Sequence, residues 1–332
     1  MSGAEHVAVV GAGAFGTALA LVAHKAGRRV TLWGRDAGHV ADISRQRENA
    51  VHLPGVDVPS PIMVTADTAA LNRADMVLLA APAQATREAL AILGGRLGDV
   101  PVVACAKGIE QGTGLRQSEI IAEMLAGARP AALSGPGFAE EIARGQPTAV
   151  TIAAEDLPLA HALSRTLASD TFRPYASDDL IGVELGGAVK NVLAIAAGVV
   201  AGRALGESAR AALIARGLAE MTRLGTALGA RAETFMGLSG LGDLVLTATS
   251  RRSRNLAFGM ALGEGRAAAE LLAPGMPLVE GAHTARIAAE LAARLGIEAP
   301  IVAAVAATVD GALTIDAAIE GLVSRPLKAE TA

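Results

Sequence analysis

A glycine-rich turn near the start of the chain constrains the fold more than any other feature. The sequence Gly-Ala-Gly-Ala-Phe-Gly matches G-x-G-x-x-G, follows the buried-strand pattern of His6–Val10 and leads into the helical pattern of Phe15–Ala26. In this setting Gly11 permits a tight turn, Gly13 lets the backbone approach a pyrophosphate, and Gly16 lets the helix pack on the strand. The pattern alone is weak in a chain with 38 glycines among 332 residues. Its context predicts a dinucleotide-binding Rossmann unit.

Strand-like and helical segments alternate through the first half of the chain. Further strand patterns are Val30–Trp33, Met76–Ala81, Val100–Ala104, Ala131–Ser134, Pro147–Ala153 and Thr171–Tyr175, and further helical patterns are Gly38–Arg47, Gln84–Leu93, Leu115–Leu125 and Leu157–Ala168. Such alternation predicts a parallel sheet covered by helices on both faces. After residue 177, stretches rich in alanine, leucine and glycine dominate. We therefore expect the α/β class, with a doubly wound parallel-sheet Rossmann domain (1–177) and an all-helical substrate domain (178–332).

Composition and charge exclude several classes of protein. The formal net charge of −4 argues against a general nucleic-acid binder, which carries a basic surface. The single cysteine, Cys105, excludes an internal disulfide, and the six histidines show no metal-ligand spacing, so no metal is expected. The first residues lack the pattern of a secretion signal, and the most apolar run, Val192–Gly202, is shorter than the roughly 20 residues of a membrane span. These features predict a soluble cytoplasmic protein.

The residue after the second strand pattern bears on the choice of nicotinamide cofactor. An NAD site usually places an acidic residue there, on the ribose 2′-hydroxyl. This chain has Arg35 at that point, and arginine binds a 2′-phosphate well, so NADPH is favoured. Asp36 follows directly and keeps NADH open. If Arg35 were only a solvated turn residue, the preference would vanish.

Lysine is scarce in this chain, which draws attention to the few that it has. Of 29 basic residues only four are lysines, namely Lys25, Lys107, Lys190 and Lys328. Lys107 comes just past a central strand pattern, at the sheet edge where ligands bind in open α/β folds. Lys190 lies in a helical run almost free of charge, where burial would poise a lysine as general acid or base. The alternative for both is a surface charge whose head reaches solvent.

Three more segments suit a small anionic substrate. Gly135 and Gly137 flank a proline after a strand pattern, where backbone N–H groups can line an anion, or where an ordinary tight turn can lie. Asp243, in an apolar setting, can orient Lys190 or a substrate hydroxyl, or can cap a helix. Residues 250–255, Ser-Arg-Arg-Ser-Arg-Asn, concentrate cations and hydroxyls as a phosphate site does, although basic runs are usually solvated.

Taken together, these segments resemble the bacterial NAD(P)-dependent glycerol-3-phosphate dehydrogenases almost end to end. The matching segments are Gly11–Ala20, Ala106–Ile109, Gly182–Asn191, Gly240–Thr247, Ser253–Asn255, Val279–Gly281 and Ser324–Lys328. The lysine-containing segment 182–191 and the Gly-Leu-Gly-Asp segment are together highly specific. The resemblance implies a Rossmann domain followed by a helical domain like that of 6-phosphogluconate dehydrogenase, with catalysis in the cleft between the domains.

The resemblance also implies a reaction and a role for each candidate residue. The reaction is the reversible reduction of dihydroxyacetone phosphate to sn-glycerol 3-phosphate by NADPH or NADH, which feeds glycerophospholipid synthesis. The catalytic residues would be Lys190 and Asp243, with Lys190 exchanging the proton at the substrate C2 oxygen. The implied substrate contacts are Lys107, Gly135, Gly137, Lys190, Asp243, Ser253, Arg254 and Asn255. The implied dinucleotide contacts, besides the three glycines, are Ala14, Phe15, Arg35, Lys107, Ala139, Arg254, Leu278 and Glu280.

Two departures from the family pattern concern affinity more than reaction type. The family usually has serine or threonine at the position of Gly137 and often serine at that of Ala14, so two hydroxyl groups are absent. Two other functions stay open at this point. One is a related two-domain dehydrogenase for another hydroxy acid, and the other is an NADPH-binding redox sensor without turnover. A homodimer is compatible with the sequence.

Overall fold

The computed structural model describes residues 4–94 and 99–327. Lys328, which ends one of the matching segments, lies outside the described residues. The strands are β1 (His6–Val10), β2 (Arg29–Trp33), β3 (Glu48–Asn49), β4 (Leu53–Asp57), β5 (Met63–Thr65), β6 (Met76–Leu79), β7 (Pro101–Ala104), β8 (Arg129–Ser134), β9 (Thr148–Ala154) and β10 (Phe172–Ser177). The helices of the first half are α1 (Ala14–Lys25), α2 (Ala37–Gln46), α3 (Thr86–Leu93), α4 (Gln117–Met124), α5 (Ala139–Ala143) and α6 (Leu157–Leu167).

The second half of the chain, within the described residues, is helical. Its helices are α7 (Leu180–Gly202), α8 (Glu207–Ala227), α9 (Ala232–Phe235), α10 (Asp243–Thr249), α11 (Arg254–Gly263), α12 (Ala268–Leu271), α13 (Glu280–Leu295), α14 (Pro300–Val309) and α15 (Ile315–Val323). A π-helical turn, Leu238–Gly242, precedes α10. The predicted change from alternating strands and helices to helices alone is confirmed.

One sheet of eight strands organises the first half, in the order β10-β9-β8-β7-β6-β1-β2-β5. The six strands from β8 to β5 in this order are parallel, as predicted. Strand β9 differs, because it runs antiparallel to β8 and parallel to β10. Only the short helix α5 lies between β8 and β9, and the chain turns back beside β8, with Ser134 opposite Thr151. A parallel pairing would instead need a longer crossover connection.

Helices cover both faces of this sheet, which explains the unbroken apolar runs of its central strands. On β1, Val7 and Val9 pack in the same cluster as Leu19 of α1. The alternate residues Ala8 and Val10 join the cluster on the other face, with the apolar residues of α3 and α4. Because β1 is buried on both sides, its carboxyl end places the following glycine-rich turn firmly at the sheet edge.

The sequence did not predict strands β3, β4 and β5. β3 and β4 form a small separate antiparallel hairpin, and β5 adds to the edge of the main sheet beside β2. Pro54 and Gly55 interrupt the apolar pattern of β4, and β3 has only two residues, so neither produces the alternation by which strands are recognised.

The chain divides into two compact units, a sheet unit (1–187 with 233–243) and a helical unit (188–232 with 244–332). The start of α7 and the segment 233–243 belong to the sheet unit. The sequence had placed both in the second segment, 178–332. Within the sheet unit, Thr234 Oγ1 donates to Asp179 Oδ2 at 2.6 Å, just before α7. A Cβ atom at Gly186 would come within 2.8 Å of Ser239 O, so that turn of α7 packs directly on the 233–243 backbone.

Helix α7 is longer than the apolar run seen in the sequence. It begins at Leu180 and has 23 residues, with a mean hydropathy of 1.6 over its most apolar window. By length and composition it reaches the range of a membrane-spanning helix. However, 83% of that window is buried inside the protein, as in the core helix of a folded domain.

Candidate active site

The glycine-rich turn has the geometry that close backbone approach requires. Gly11 has a φ of +118°, and a Cβ there would come within 2.8 Å of Ala80 O. A Cβ at Gly16 would overlap Gly11 O, because the helix packs directly on the turn. Around Gly13, by contrast, a Cβ would meet no atom within 4 Å. The first and third glycines are thus needed for packing, while the second leaves an open backbone surface.

This open surface lies at the N-terminus of α1, whose first residues are Ala14 and Phe15. The N-cap residue Gly13 has no side chain that could cap the helix, and the first turn has no acidic residue. Backbone N–H groups and the positive end of the helix dipole therefore favour an anion there. The turn fits the pyrophosphate of a dinucleotide, because the lack of a side chain at Gly13 leaves space next to the backbone.

Buried Asn49 braces the turn from β3. Its Nδ2 donates to Ala12 O at 3.0 Å and to Thr17 Oγ1 at 2.8 Å. His39 Nε2 also lies 3.1 Å from Ala12 O. These contacts fix the backbone between the first two glycines, so Asn49 helps to hold the binding surface in shape.

Arg35 follows β2 at the same edge of the sheet and makes an exposed ion pair. Its Nη1 lies 2.5 Å from Glu88 Oε1, and the two side chains are 67% and 59% exposed. Asp36 has a different task, because its Oδ1 accepts from His39 N at 3.0 Å and caps α2. That backbone hydrogen bond lowers the pKa of Asp36. Asp36 is therefore engaged in local structure, while the Arg35 guanidinium faces solvent beside a carboxylate.

Lys107 forms a largely buried ion pair at the carboxyl edge of β7. Its Nζ donates to Asp243 Oδ2 at 2.7 Å and to Gly135 O at 2.8 Å. The sequence indicated Lys190 or a substrate hydroxyl as the group that Asp243 orients, and Lys107 is a partner of this carboxylate that the sequence did not indicate. These contacts bring together residues from the ends of two strands and from the start of α10.

Gly135 and Gly137 differ in why they lack side chains. Gly135 has a φ of +140°, and a Cβ there would lie 2.9 Å from Val150 Cα, so only glycine fits. At Gly137 a Cβ would come within 2.9 Å of Ile142 Cδ1, the mobile end of a side chain. The space of the family's usual hydroxyl residue is thus filled by Ile142. Ala139 begins α5 directly after this turn.

Lys190 lies on α7 in the helical unit and is 5% exposed. Its Nζ donates to Thr247 Oγ1 at 2.6 Å, and Thr247 is buried as well. Thr247 stands four residues after Asp243 on α10, so both project from one face of that helix. The sequence prediction of a buried lysine in an apolar helix agrees with this burial.

The three residues of the segment 253–255, at the start of α11, differ in their contacts and exposure. Ser253 Oγ accepts from Leu256 N and caps the helix, which leaves its hydroxyl hydrogen able to donate. Arg254 is exposed in the first turn, where the helix dipole also favours an anion. Asn255 Nδ2 donates to Asn191 Oδ1 at 2.9 Å, and its Oδ1 accepts from Gly281 N at 3.0 Å. Asn255 therefore ties α11 to α7 and to the start of α13, where Glu280 is the first residue and exposed Leu278 precedes it.

Comparison with known proteins places the chain in a family. Family models for the NAD-dependent glycerol-3-phosphate dehydrogenase N-terminus and C-terminus match residues 6–160 and 179–320. The chain belongs to the NAD-dependent glycerol-3-phosphate dehydrogenases. It is 56% identical to glycerol-3-phosphate dehydrogenase [NAD(P)+] of Bradyrhizobium diazoefficiens over 331 residues, covering 99% of this chain and 100% of the relative. It is 54% identical to the protein of the same name in Rhodospirillum rubrum, covering 98% and 94%.

A solved structure of the same family has the same fold. Glycerol-3-phosphate dehydrogenase from Coxiella burnetii superposes with a TM-score of 0.91 at 37% identity, covering 97% of this chain and 99% of the other. The predicted fold class and the family resemblance are both confirmed.

Sequence reasoning missed two residues of this chain, namely Asn49 and Thr247. Asn49 lies in a two-residue strand and carries no local signal. Thr247 could have been found from its spacing to Asp243, because residues four apart share a helix face. Among residues 4–94 and 99–327, no group of three or more histidine, cysteine, aspartate or glutamate side chains could hold a metal ion.

Proposed function

We propose that this chain reduces dihydroxyacetone phosphate reversibly to sn-glycerol 3-phosphate with a nicotinamide dinucleotide, and that Lys190 exchanges the proton at the C2 oxygen. The observation that carries the proposal is a buried lysine held by a neutral hydroxyl at 2.6 Å in a chain of this family. Family membership does not favour a dehydrogenase for another hydroxy acid or a sensor without turnover. The product feeds glycerophospholipid synthesis.

Thr247 suits a lysine that must gain and lose a proton. A hydroxyl both accepts and donates, so it accepts from the Lys190 ammonium and can donate to the neutral amine. In the reductive direction Lys190 Nζ donates its proton to the substrate oxygen, and in the oxidative direction the neutral amine accepts it. When bound, the nicotinamide supplies or takes up the hydride at C2.

The glycine-rich turn supports the proposed dinucleotide site. Gly11, Gly13 and Gly16, with Ala14 and Phe15, bind the pyrophosphate through backbone N–H groups and the α1 dipole. The other proposed dinucleotide contacts are Arg35, Lys107, Ala139, Arg254, Leu278 and Glu280. Arg35 gives NADPH the advantage over NADH, because a guanidinium binds a 2′-phosphate through charge-assisted hydrogen bonds.

The substrate phosphate is anionic, and the proposed contacts supply donors for it. Lys107 is held by the Asp243 carboxylate and the Gly135 carbonyl. Gly135 and Gly137 would contribute backbone N–H groups. Ser253, Arg254 and Asn255 add a hydroxyl, a guanidinium and an amide from the start of α11. We further propose that the protein acts in the cytoplasm and that it forms a homodimer.

The variant Lys190→Arg tests the proposed proton transfer. Arginine keeps the charge but does not release its proton at working pH. We expect kcat to fall by about 10²- to 10⁴-fold in both directions, with dinucleotide affinity nearly intact. Lys25→Arg is the matched control, because Lys25 is exposed and bonds only Thr171 among the contacts of the described residues. Its kcat should stay at the wild-type value.

A second pair of variants separates proton transfer from a folding defect, since arginine is larger than the lysine it replaces. Thr247→Ser keeps the hydroxyl and should retain most of the activity, whereas Thr247→Val has a similar volume and should lose it. In the wild type, reduction should fade as pH rises and oxidation should fade as pH falls, because the two directions need opposite forms of the lysine. A Lys190→Arg enzyme that keeps its kcat would show that Lys190 is not the proton-transfer group.

A further inference from the structure

The ion pair between Arg35 and Glu88 lies where a dinucleotide-binding sheet receives the adenosine ribose. That position is the carboxyl end of the second strand, and an acid or an arginine there distinguishes a 2′-hydroxyl from a 2′-phosphate. This chain has an acid and an arginine in contact at 2.5 Å, with Arg35 after β2 and Glu88 in the first turn of α3. The acid comes from a different element than the sequence alone indicated.

The charged residues next to Arg35 and Glu88 in the sequence, Asp36 and Arg87, have other partners. Asp36 caps α2 through His39 N, so its carboxylate is committed to the helix. Arg87, beside Glu88 in sequence, pairs with Glu110 and Glu123 instead. Those partners raise the pKa of Arg87.

We infer that Glu88 is a specificity-determining residue that limits the preference for the 2′-phosphorylated dinucleotide. The inference rests on the proposed role of Arg35. Without a 2′-phosphate, Glu88 balances the charge of Arg35 and can accept a hydrogen bond from a ribose 2′-hydroxyl. A 2′-phosphate takes Arg35 from Glu88 and then lies near a like charge. Glu88 therefore reduces the difference in binding affinity between NADPH and NADH. This agrees with a relative whose name gives NAD(P)+ as its cofactor.

Binding of two nicotinamide-free probes to the enzyme without dinucleotide tests this inference. The probes are ADP-ribose and ADP-ribose 2′-phosphate, measured by isothermal titration calorimetry. Glu88→Gln should tighten binding of the phosphorylated probe by about two- to tenfold, because an exposed charge contact is modest and the phosphate carries nearly two charges. Binding of ADP-ribose should stay the same or weaken. The gain should shrink at high salt, where exposed charges are screened.

Two further variants make the outcomes distinct. Glu123→Gln removes an exposed carboxylate of the same unit that pairs with Arg87, and should leave both affinities unchanged. Arg35→Ala should weaken binding of the phosphorylated probe by about 10- to 150-fold, which tests the proposed 2′-phosphate contact itself. If Arg35→Ala weakens binding and Glu88→Gln leaves the ratio of the two affinities unchanged, the role of Glu88 is overturned while that of Arg35 stands. If Arg35→Ala has no effect, the proposed contact fails and the inference fails with it.

Discussion

Two helices of the helical unit touch through glycine, and one added methyl group should drive them apart. A Cβ at Gly198 of α7 would overlap Leu256 O, and a Cβ at Gly259 of α11 would overlap Ile195 O. Each glycine thus accommodates a backbone carbonyl of the facing helix. The same two helices carry Lys190 with Asn191 and the segment 253–255. We therefore expect Gly259→Ala to affect both stability and catalysis.

The size of the effect follows from the distance. The Cβ at Gly259 would lie 2.0 Å from Ile195 O, about 1 Å inside the closest approach that real Cβ atoms make. A backbone carbonyl has no rotamer by which to move away, so the strain falls at the upper end of the about 1–3 kcal/mol found for overpacked cores, or above it. Alanine gains about 1 kcal/mol over glycine in a helix. The net loss in free energy of unfolding should be about 2 kcal/mol.

Gly321→Ala is the matched control. Gly321 lies within α15, and a Cβ there would meet no atom within 4 Å. The same substitution should raise the free energy of unfolding by about 0.5–1 kcal/mol through helix propensity alone. Urea denaturation followed by circular dichroism measures both values, and kcat should fall only for Gly259→Ala. A Gly259→Ala protein as stable as Gly321→Ala would refute the close-contact reasoning.

Three other substitutions test separate parts of the structure. Asn49→Ala leaves the Ala12 carbonyl without its amide donor, so it should cost about 1–3 kcal/mol of stability and weaken dinucleotide binding in calorimetry. Unchanged affinity would show that the turn keeps its shape without this amide. Gly137→Ser restores the family's hydroxyl and should lower KM for dihydroxyacetone phosphate. Gly137→Ala only displaces Ile142 and should not lower KM. Equal effects of the two substitutions on KM would exclude a hydroxyl contact to the substrate. Burial raises the pKa of the Glu220 carboxyl from 4.5 to about 7. Between these two pH values the folded protein keeps the carboxyl proton that the unfolded chain has lost. Its contribution to stability should fall as pH rises from 4.5 to about 7, and Glu220→Gln should abolish that slope in pH-dependent urea denaturation.

The sequence predicted the main strands because burial on both faces leaves a visible apolar run, as in β1. It did not predict that β9 turns back, since strand direction depends on the length and packing of the connection rather than on the residues of the strand itself. It also singled out Lys107, Lys190 and Asp243, and it offered Lys190 or a substrate hydroxyl, but not Lys107, as the group that Asp243 orients. Lys107 and Asp243 are 136 positions apart, and no local pattern records a contact over that distance.

Lys107 and Lys190 each bond at least one partner of a different chemical kind. Lys107 is held by the Asp243 carboxylate and the Gly135 carbonyl, which are acceptors only, so the arrangement holds an ammonium group in one place and suits binding. Lys190 bonds a hydroxyl, whose donor and acceptor roles can reverse when the lysine loses its proton. A carboxylate at position 247 would hold Lys190 in its charged form and oppose proton release. We expect the Thr247 hydroxyl to stay bonded to the amine through both halves of the proposed proton transfer.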